Sequence, residues 1–110
     1  MKITIDAIES YLSERYGGWA NETGMFMKLV EEMGEVAEIL NMRSGRKATK
    51  ELDLQNELGI ELADIIHYTI AIAAINNIDL TNIILEKDKI ASIKYNHDIN
   101  LEQFLINNNK

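Results

Sequence analysis

Four glutamates lie within eight residues of the segment KLVEEMGEVAEIL, which runs from Lys28 to Leu40. Its apolar residues recur at the spacing of a core-facing helical stripe: Leu29, Val30, Met33, Val36, Ala37 and Leu40. At about 100° per residue, Glu32 and Glu35 lie about 60° apart at the border of that stripe. Two carboxylates held close together at the edge of a core repel each other and lose hydration. We therefore expect a cation between them.

A second carboxylate pair occurs in the segment ELADIIHYTIAIAAI, where Glu61 and Asp64 are again three residues apart. Two antiparallel helices pack with about 8–10 Å between their axes, so the two pairs could converge on one point. Four oxygen ligands suit a hard divalent cation, which predicts a site for Mg²⁺ or Mn²⁺.

The composition is that of one globular domain covering residues 1–110, with a formal net charge of −7. This charge argues against general binding to a nucleic acid polymer or to an anionic membrane. The chain has no cysteine, which excludes disulfides and thiolate metal sites and fits a reducing cytoplasm. We therefore expect a cytoplasmic protein.

Neither a secretory signal nor a membrane span is expected from the sequence. The segment from Met1 to Ile8 lacks a basic stretch followed by an apolar run. The most apolar window, Ile65 to Ile78, is too short to cross a bilayer and contains a histidine and two asparagines.

Helical periodicity predicts four main helices and a short C-terminal docking helix. They run from about Asp6 to Tyr16, from Asn21–Gly24 to about Arg43, from between Thr49 and Leu54 to about Asn76, from a cap at Asp79 or Thr81 to about Asn96, and within Asp98–Lys110. Paired glycines at Gly17 and Gly18 should end the first helix. The predicted fold is all-α, with a four-helix-bundle-like core and short flanking helices.

The third helix predicts an oligomer. Between Ile65 and Ile75 its apolar residues cover nearly all sides, and such a helix must be buried all round. Because one chain of this length has few helices to enclose it, we expect a homodimer or homotetramer with this helix at the interface.

The two acidic segments together resemble the MazG-like all-α nucleoside triphosphate pyrophosphohydrolases. Their E-E-x-x-E and E-x-x-D motifs match Glu31-Glu32-Met33-Gly34-Glu35 and Glu61-Leu62-Ala63-Asp64. The resemblance covers a core from about residue 19 to residue 96. It implies cleavage of a nucleoside triphosphate between its α- and β-phosphates, to the monophosphate and pyrophosphate.

The resemblance also implies roles for individual residues. Metal ligands would be Glu32, Glu35, Glu61 and Asp64, with Glu35 also part of the catalytic set. Glu31 would orient or deprotonate the attacking water, with Glu38 as the alternative. The candidate substrate contacts are Lys28, Lys89, Asn96 and Trp19. The family's downstream arginine has no counterpart here.

Several residues allow two interpretations. Trp19, Phe26 and Tyr95 are each either core residues or stacking surfaces for a base. The basic loop from Ser44 to Thr49 is either a solvated connection or a phosphate contact. His67, one turn after Asp64, is either a hydrogen-bonded core or interface histidine or part of a D-x-x-H metal motif.

Two other functions follow from these alternatives. The D-x-x-H sequence motivates a di-iron or di-manganese carboxylate bundle, in which a dimer would supply two copies of the motif. The missing arginine motivates a dimeric helical module that binds nucleotide, or another partner, without turnover.

Overall fold

The computed structural model describes residues 1–50 and 53–108 and consists of α-helices joined by short loops. The helices are α1 (Ile5–Tyr16), α2 (Glu22–Arg43), α3 (Leu54–Ile75), α4 (Leu80–Lys94) and α5 (Leu101–Asn108). The all-α prediction is confirmed, and the predicted helix ends agree with these bounds to within a few residues. Residues 51 and 52, inside the predicted range for the start of the third helix, lie outside the described residues. So do 109 and 110, the end of the predicted docking segment.

Polar side chains fix the starts of the four longer helices. Thr4 accepts a hydrogen bond from the Ala7 amide at 3.0 Å, so Asp6 lies in the first turn of α1. Three other helix starts are capped in the same way, by Asn21, Asp53 and Asp79. Each side chain satisfies an amide that has no partner inside its helix.

The paired glycines end α1 as predicted. The Gly17 amide donates to the Ser13 carbonyl at 2.8 Å, and a Cβ on Gly17 would lie only 2.4 Å from that oxygen. Gly18 has a φ angle of +86°. Glycine adopts this left-handed backbone conformation at a lower free-energy cost than residues that carry a side chain. The chain therefore turns sharply between α1 and α2.

Helix α3 is the centre of the fold, because α1 and α2 both pack against it. Leu12 of α1 and Met25 of α2 enclose Ile70, Ala71 and Ala74. Ile70, Ala71 and Ala74 are thus buried inside one chain. The premise that this stretch needs a second chain to cover it is wrong for Ile70 to Ala74, because α1 and α2 supply the cover.

Helices α2 and α3 run antiparallel. Asn76, which follows α3, donates to the Glu22 carboxylate at the start of α2, at 2.9 Å. At the other end, Met42 of α2 and Leu54 of α3 line the same hollow. This arrangement brings the middle of α2 beside the middle of α3, where the two predicted carboxylate pairs lie.

Helices α4 and α5 extend the chain away from the α2–α3 pair. Thr81 donates to Asp6 at 2.6 Å and fastens α4 to α1, whereas the Leu101 amide donates to Asp88 at 2.5 Å and fastens α5 to α4. The radius of gyration is 17.2 Å, whereas a compact chain of this length would have about 13 Å. This open shape leaves many large apolar side chains exposed.

Among the described residues, α3 alone is long and apolar enough to cross a membrane, with a mean hydropathy of 1.6. The core helix of a soluble protein meets the same criteria of length and composition. Helix α3 also carries Glu57, Glu61 and Asp64 and packs against two other helices. These features are those of a core helix.

Candidate metal centre and aromatic groove

Glu32, Glu61 and Asp64 form one cluster between α2 and α3. One carboxylate oxygen from each lies within 4.8 Å of the others, and all three residues are half-buried. Glu32 belongs to the face of α2 that packs on α3, along with the half-buried Leu29 and Val36. The helix pair therefore holds three carboxylates in a space suited to a single small cation.

The carboxylates in this cluster disfavour one another's charges. The pKa of Glu32 is raised to about 7, first by a side-chain hydrogen bond with Glu61, then by burial and by the charges of Glu61 and Asp64. Like-charged neighbours and desolvation both favour the protonated form of a carboxyl group. The cluster therefore holds either an extra proton or a cation at neutral pH.

Glu61 supplies the observation that most favours a cation. Its Oε2 atom is buried and has no hydrogen-bond partner. A buried oxygen acceptor without a partner is costly, and a divalent metal ion satisfies it. Because the cluster offers carboxylate oxygens and no sulfur, the donor set fits Mg²⁺ or Mn²⁺.

Glu35 lies beside the cluster and outside the group of three. It is exposed and lines a neighbouring hollow of about 180 Å³ together with Glu38, Glu57 and Glu61. Glu61 thus borders both the cluster and this hollow. The sequence reasoning missed Glu57, although its spacing of four residues from Glu61 places both on the same side of α3.

Glu31 and Glu38, the residues predicted to activate the water, each pair with a lysine. Glu31 is exposed and Glu38 is half-exposed. The Glu31 carboxylate lies 3.3 Å from the Lys28 amine, one turn earlier on α2. Glu38 accepts a hydrogen bond from Lys47 of the basic loop. Lys47 therefore ties the loop to the C-terminal half of α2, which fits a connecting role.

An aromatic groove of about 370 Å³ lies at the other end of the cluster. It is lined by Tyr16, Trp19, Ala20, Asn21, Gly24, Met25, Lys28 and Tyr68. Lys28 is one turn from Glu32, and Tyr68 is one turn from Asp64, so the groove is adjacent to the acids. Sequence reasoning missed Tyr16 and Tyr68 as groove residues, although Tyr68 follows Asp64 by four residues.

Trp19 is exposed, which excludes the interpretation that it caps the core. Its indole N–H donates to the Arg15 carbonyl at 2.8 Å, and its ring lies 5.6 Å from that of Tyr16. The hydrogen bond and the ring contact hold the indole in place beside the groove. Phe26 and Tyr95 are also exposed and are not core residues.

His67 is a hydrogen-bonded histidine in contact with Tyr16 and Tyr68, two residues of the groove. Its Nε2 atom lies 2.8 Å from the Tyr16 hydroxyl, and its ring contacts those of Tyr16 and Tyr68 edge-on. These contacts join α1 to α3. Within residues 1–50 and 53–108, the acidic metal cluster does not include His67, so the D-x-x-H pattern is not assembled as a metal site in one chain.

Lys89 and Asn96, the other predicted substrate contacts, line a separate hollow between α4 and α5. The Lys89 amine lies 3.0 Å from Glu102 and 3.5 Å from Glu86, and both carboxylates raise the pKa of Lys89, with the Glu102 hydrogen bond contributing most. Within one chain, the structure places these two residues on a different pair of helices from the acidic cluster.

The fold is similar to that of a protein whose structure has been solved. The crystal structure of iMazG from Vibrio DAT 722 has a TM-score of 0.64 and 27% sequence identity, over 86% of this chain and 100% of that chain. No family model matches the sequence, and no curated protein matches it. The fold is therefore MazG-like.

Proposed function

We propose that this protein is a divalent-metal-dependent nucleoside triphosphate pyrophosphohydrolase. It would cleave its substrate between the α- and β-phosphates and release a nucleoside monophosphate and pyrophosphate. The observation that carries the proposal is the convergence of Glu32, Glu61 and Asp64 around a buried Glu61 oxygen that has no partner. The similarity to iMazG supports the same activity class.

The three carboxylates would hold Mg²⁺, or Mn²⁺ in its place, between α2 and α3. When bound, such an ion neutralises phosphate charge and lowers the pKa of a coordinated water. The raised pKa of Glu32 favours its protonated form. Glu32 would lose this proton when the metal binds, because a carboxyl group must be ionised to bind a metal. Packing of α2 on α3 would hold the three side chains near one another before substrate binds.

The acids around the cluster would manage the water and its proton. Glu35, which lines a hollow together with Glu61, would complete the metal ligands or accept a proton. Glu31 is the first candidate to orient the attacking water, although the side chain pairs with Lys28 in this structure. A phosphate that draws the Lys28 amine away would leave Glu31 free for this role.

The aromatic groove would hold the nucleoside. A triphosphate bound at the acids would have Lys28 beside its phosphates and its base between Trp19 and Tyr68. Aromatic rings stack on any base, so this geometry favours nucleotides without selecting one base.

The acidic net charge makes a nucleic acid polymer a poor partner, and the metal supplies the local attraction that a free nucleotide requires. Absence of cysteine supports a cytoplasmic location.

Pyrophosphate release from a panel of canonical and modified NTPs and dNTPs tests the proposal. We expect release with Mg²⁺ or Mn²⁺ but not with EDTA, a monophosphate as the second product, and loss of activity in Glu61→Gln and Glu35→Gln. Glu14→Gln, an exposed acid on α1, is the matched control and should retain full activity.

Absence of release from every substrate, with folded and metal-bound protein, would contradict the proposal. The placement of Lys89 and Asn96 away from the acids favours the non-catalytic nucleotide-binding module as the second candidate. Nucleotide binding without turnover would support that module. Iron or manganese retained after purification, with its visible absorption, would instead support the di-metal carboxylate bundle.

A further inference from the structure

Three polar side chains of the aromatic groove already have partners within the chain. The Trp19 indole N–H donates to a backbone carbonyl at 2.8 Å, and the Tyr16 hydroxyl is hydrogen-bonded to His67 at 2.8 Å. The Lys28 amine lies 3.3 Å from the Glu31 carboxylate. Stacking on aromatic rings does not distinguish one base from another. A choice among bases therefore depends on the polar groups that these contacts leave open.

Asn21, a fourth polar residue of the groove, offers a hydrogen-bond donor. Its Oδ1 atom accepts a hydrogen bond from the Gly24 amide at 3.0 Å and caps α2. Because a backbone N–H donates to oxygen and not to an amino group, this contact fixes the orientation of the Asn21 carboxamide. The residue is exposed, and no described residue accepts a hydrogen bond from its Nδ2 amino group. That amino group remains available to a ligand.

Asn21 lies toward the end of the groove that is remote from the acids. It precedes Glu32 by three helical turns, whereas Lys28 precedes Glu32 by one turn. A nucleotide with its phosphates at the acids places its sugar next and its base last. The edge of the base opposite the glycosidic bond then points toward Asn21. This placement rests on the proposed function, in which the groove holds the nucleoside.

That edge distinguishes two classes of base. Guanine, hypoxanthine, thymine and uracil carry a carbonyl oxygen there, whereas adenine and cytosine carry an amino group. A carbonyl oxygen accepts from the Asn21 amino group, but an amino group would face a second donor and leave both without that bond. The Tyr68 hydroxyl of the groove can donate or accept, so it suits either class. We propose that Asn21 is a specificity-determining residue that favours nucleotides whose base carries a carbonyl oxygen at this edge.

Two pairs of substrates of matched size test this role. ITP and ATP are purine nucleotides that differ at this edge of the base, and UTP and CTP are the corresponding pyrimidine pair. In the wild type, kcat/KM should be at least about fivefold higher for ITP than for ATP and for UTP than for CTP, the effect of about one hydrogen bond. Equal kcat/KM values within both pairs, or higher values for ATP and CTP, would overturn the proposal.

Two substitutions separate base recognition from helix capping. Asn21→Asp keeps an oxygen that caps α2 but exchanges the donor for an acceptor, so it should reverse the preference within each pair. Asn21→Ser also keeps the cap and removes the donor, so it should bring each ratio of kcat/KM close to one. Aspartate and serine cap helices about as well as asparagine does, so both variants should melt within a few degrees of the wild type.

The control is Asp79→Asn, which makes the reverse exchange at the cap of α4 and should leave both ratios unchanged. Ratios equal to those of the wild type in both Asn21→Asp and Asn21→Ser would show that Asn21 only caps the helix, which would overturn the proposal.

Binding without cleavage separates the role of Asn21 from the proposed activity. The α,β-methylene analogues of ITP and ATP resist cleavage between the α- and β-phosphates, and quenching of Trp19 fluorescence measures their dissociation constants. The wild type should bind the ITP analogue at least about fivefold more tightly, and Asn21→Asp should bind the ATP analogue more tightly. This result without pyrophosphate release from any triphosphate would refute the hydrolase and support the role of Asn21. Pyrophosphate release with equal dissociation constants for the two analogues would support the hydrolase and overturn the role of Asn21.

Discussion

Glu32 of α2 and Glu61 of α3 share a side-chain hydrogen bond that raises the pKa of Glu32 to about 7. A hydrogen bond between two carboxyl groups requires a proton on one of them, so the raised pKa favours retention of a proton at this pair. The buried Glu61 Oε2 atom remains without a partner. A divalent cation at this position would replace the proton and satisfy that oxygen, which links the stability of the protein to both pH and metal.

The first prediction concerns the pH dependence of stability without metal. In the unfolded chain Glu32 has its ordinary pKa near 4.5, so the folded state binds more protons between that value and about 7. The free energy of unfolding should therefore decrease as the pH rises through this window. Thermal melts in EDTA at a series of pH values measure the decrease, and Glu32→Gln should weaken it. An unchanged pH profile in Glu32→Gln would show that this residue does not carry the proton.

The second prediction concerns stabilisation by metal. At pH 7.5, Mg²⁺ or Mn²⁺ at a hundred times its dissociation constant should raise the melting temperature by roughly 10 °C, since only the folded state binds it. Glu61→Gln should abolish this increase, whereas Glu14→Gln should retain it. A full increase in Glu61→Gln would remove Glu61 from the metal site.

The third prediction concerns the base site. Trp19 is the one tryptophan in the chain, so its fluorescence reports on the aromatic groove directly. Nucleotide binding should quench this fluorescence. Trp19→Ala should raise KM about tenfold with little change in kcat, because base stacking contributes about 1–3 kcal/mol. Tyr95→Ala removes an exposed ring near His97 and should leave KM unchanged. Equal effects of the two substitutions would place the base elsewhere.

The fourth prediction concerns the turn after α1. Gly17→Ala would place a Cβ against the Ser13 carbonyl oxygen, a backbone atom that cannot move aside easily. We expect the free energy of unfolding to decrease by about 1–3 kcal/mol. Gly24→Ala is the control, because its Cβ would meet only the Asn21 side chain at 4.0 Å. Urea denaturation of both variants measures the difference, and equal stabilities would contradict the predicted clash.

The helices and the placement of Glu61 beside Asp64 could be predicted from the sequence because both depend on local periodicity. Spacing of three residues places Glu61 and Asp64 on one side of α3 whatever the tertiary structure is. Long-range packing decides which helix packs against α3. It also decides which side of α2 faces the core. Val30 and Met33 therefore fit the core periodicity and yet are exposed.

The same reasoning explains the error about burial of α3. An apolar helix requires cover, but the sequence does not say whether the cover comes from the same chain. Leu12 and Met25 supply it for Ile70 and Ala74, through contacts between residues far apart in the chain. Large exposed apolar residues lie instead on α2 and around the middle of α3, at Leu62 and Ile66.

The last prediction separates the two lysines proposed as substrate contacts. Lys28 lies between the aromatic groove and the acids, and its partner Glu31 is exposed and one turn away. Lys89 is held between Glu86 and Glu102, on α4 and α5. Lys28→Met should therefore lower kcat/KM about tenfold through loss of a charged phosphate contact.

Lys89→Met serves as the comparison, with less than about a twofold effect on kcat/KM, because exposed ion pairs contribute little. Both variants should melt within a few degrees of the wild type. A larger loss of activity in Lys89→Met than in Lys28→Met would mean that α4 reaches the substrate. In a dimer, that lysine would then have to come from the second copy, which mixing Lys89→Met with an inactive Glu61→Gln chain would reveal as restored activity.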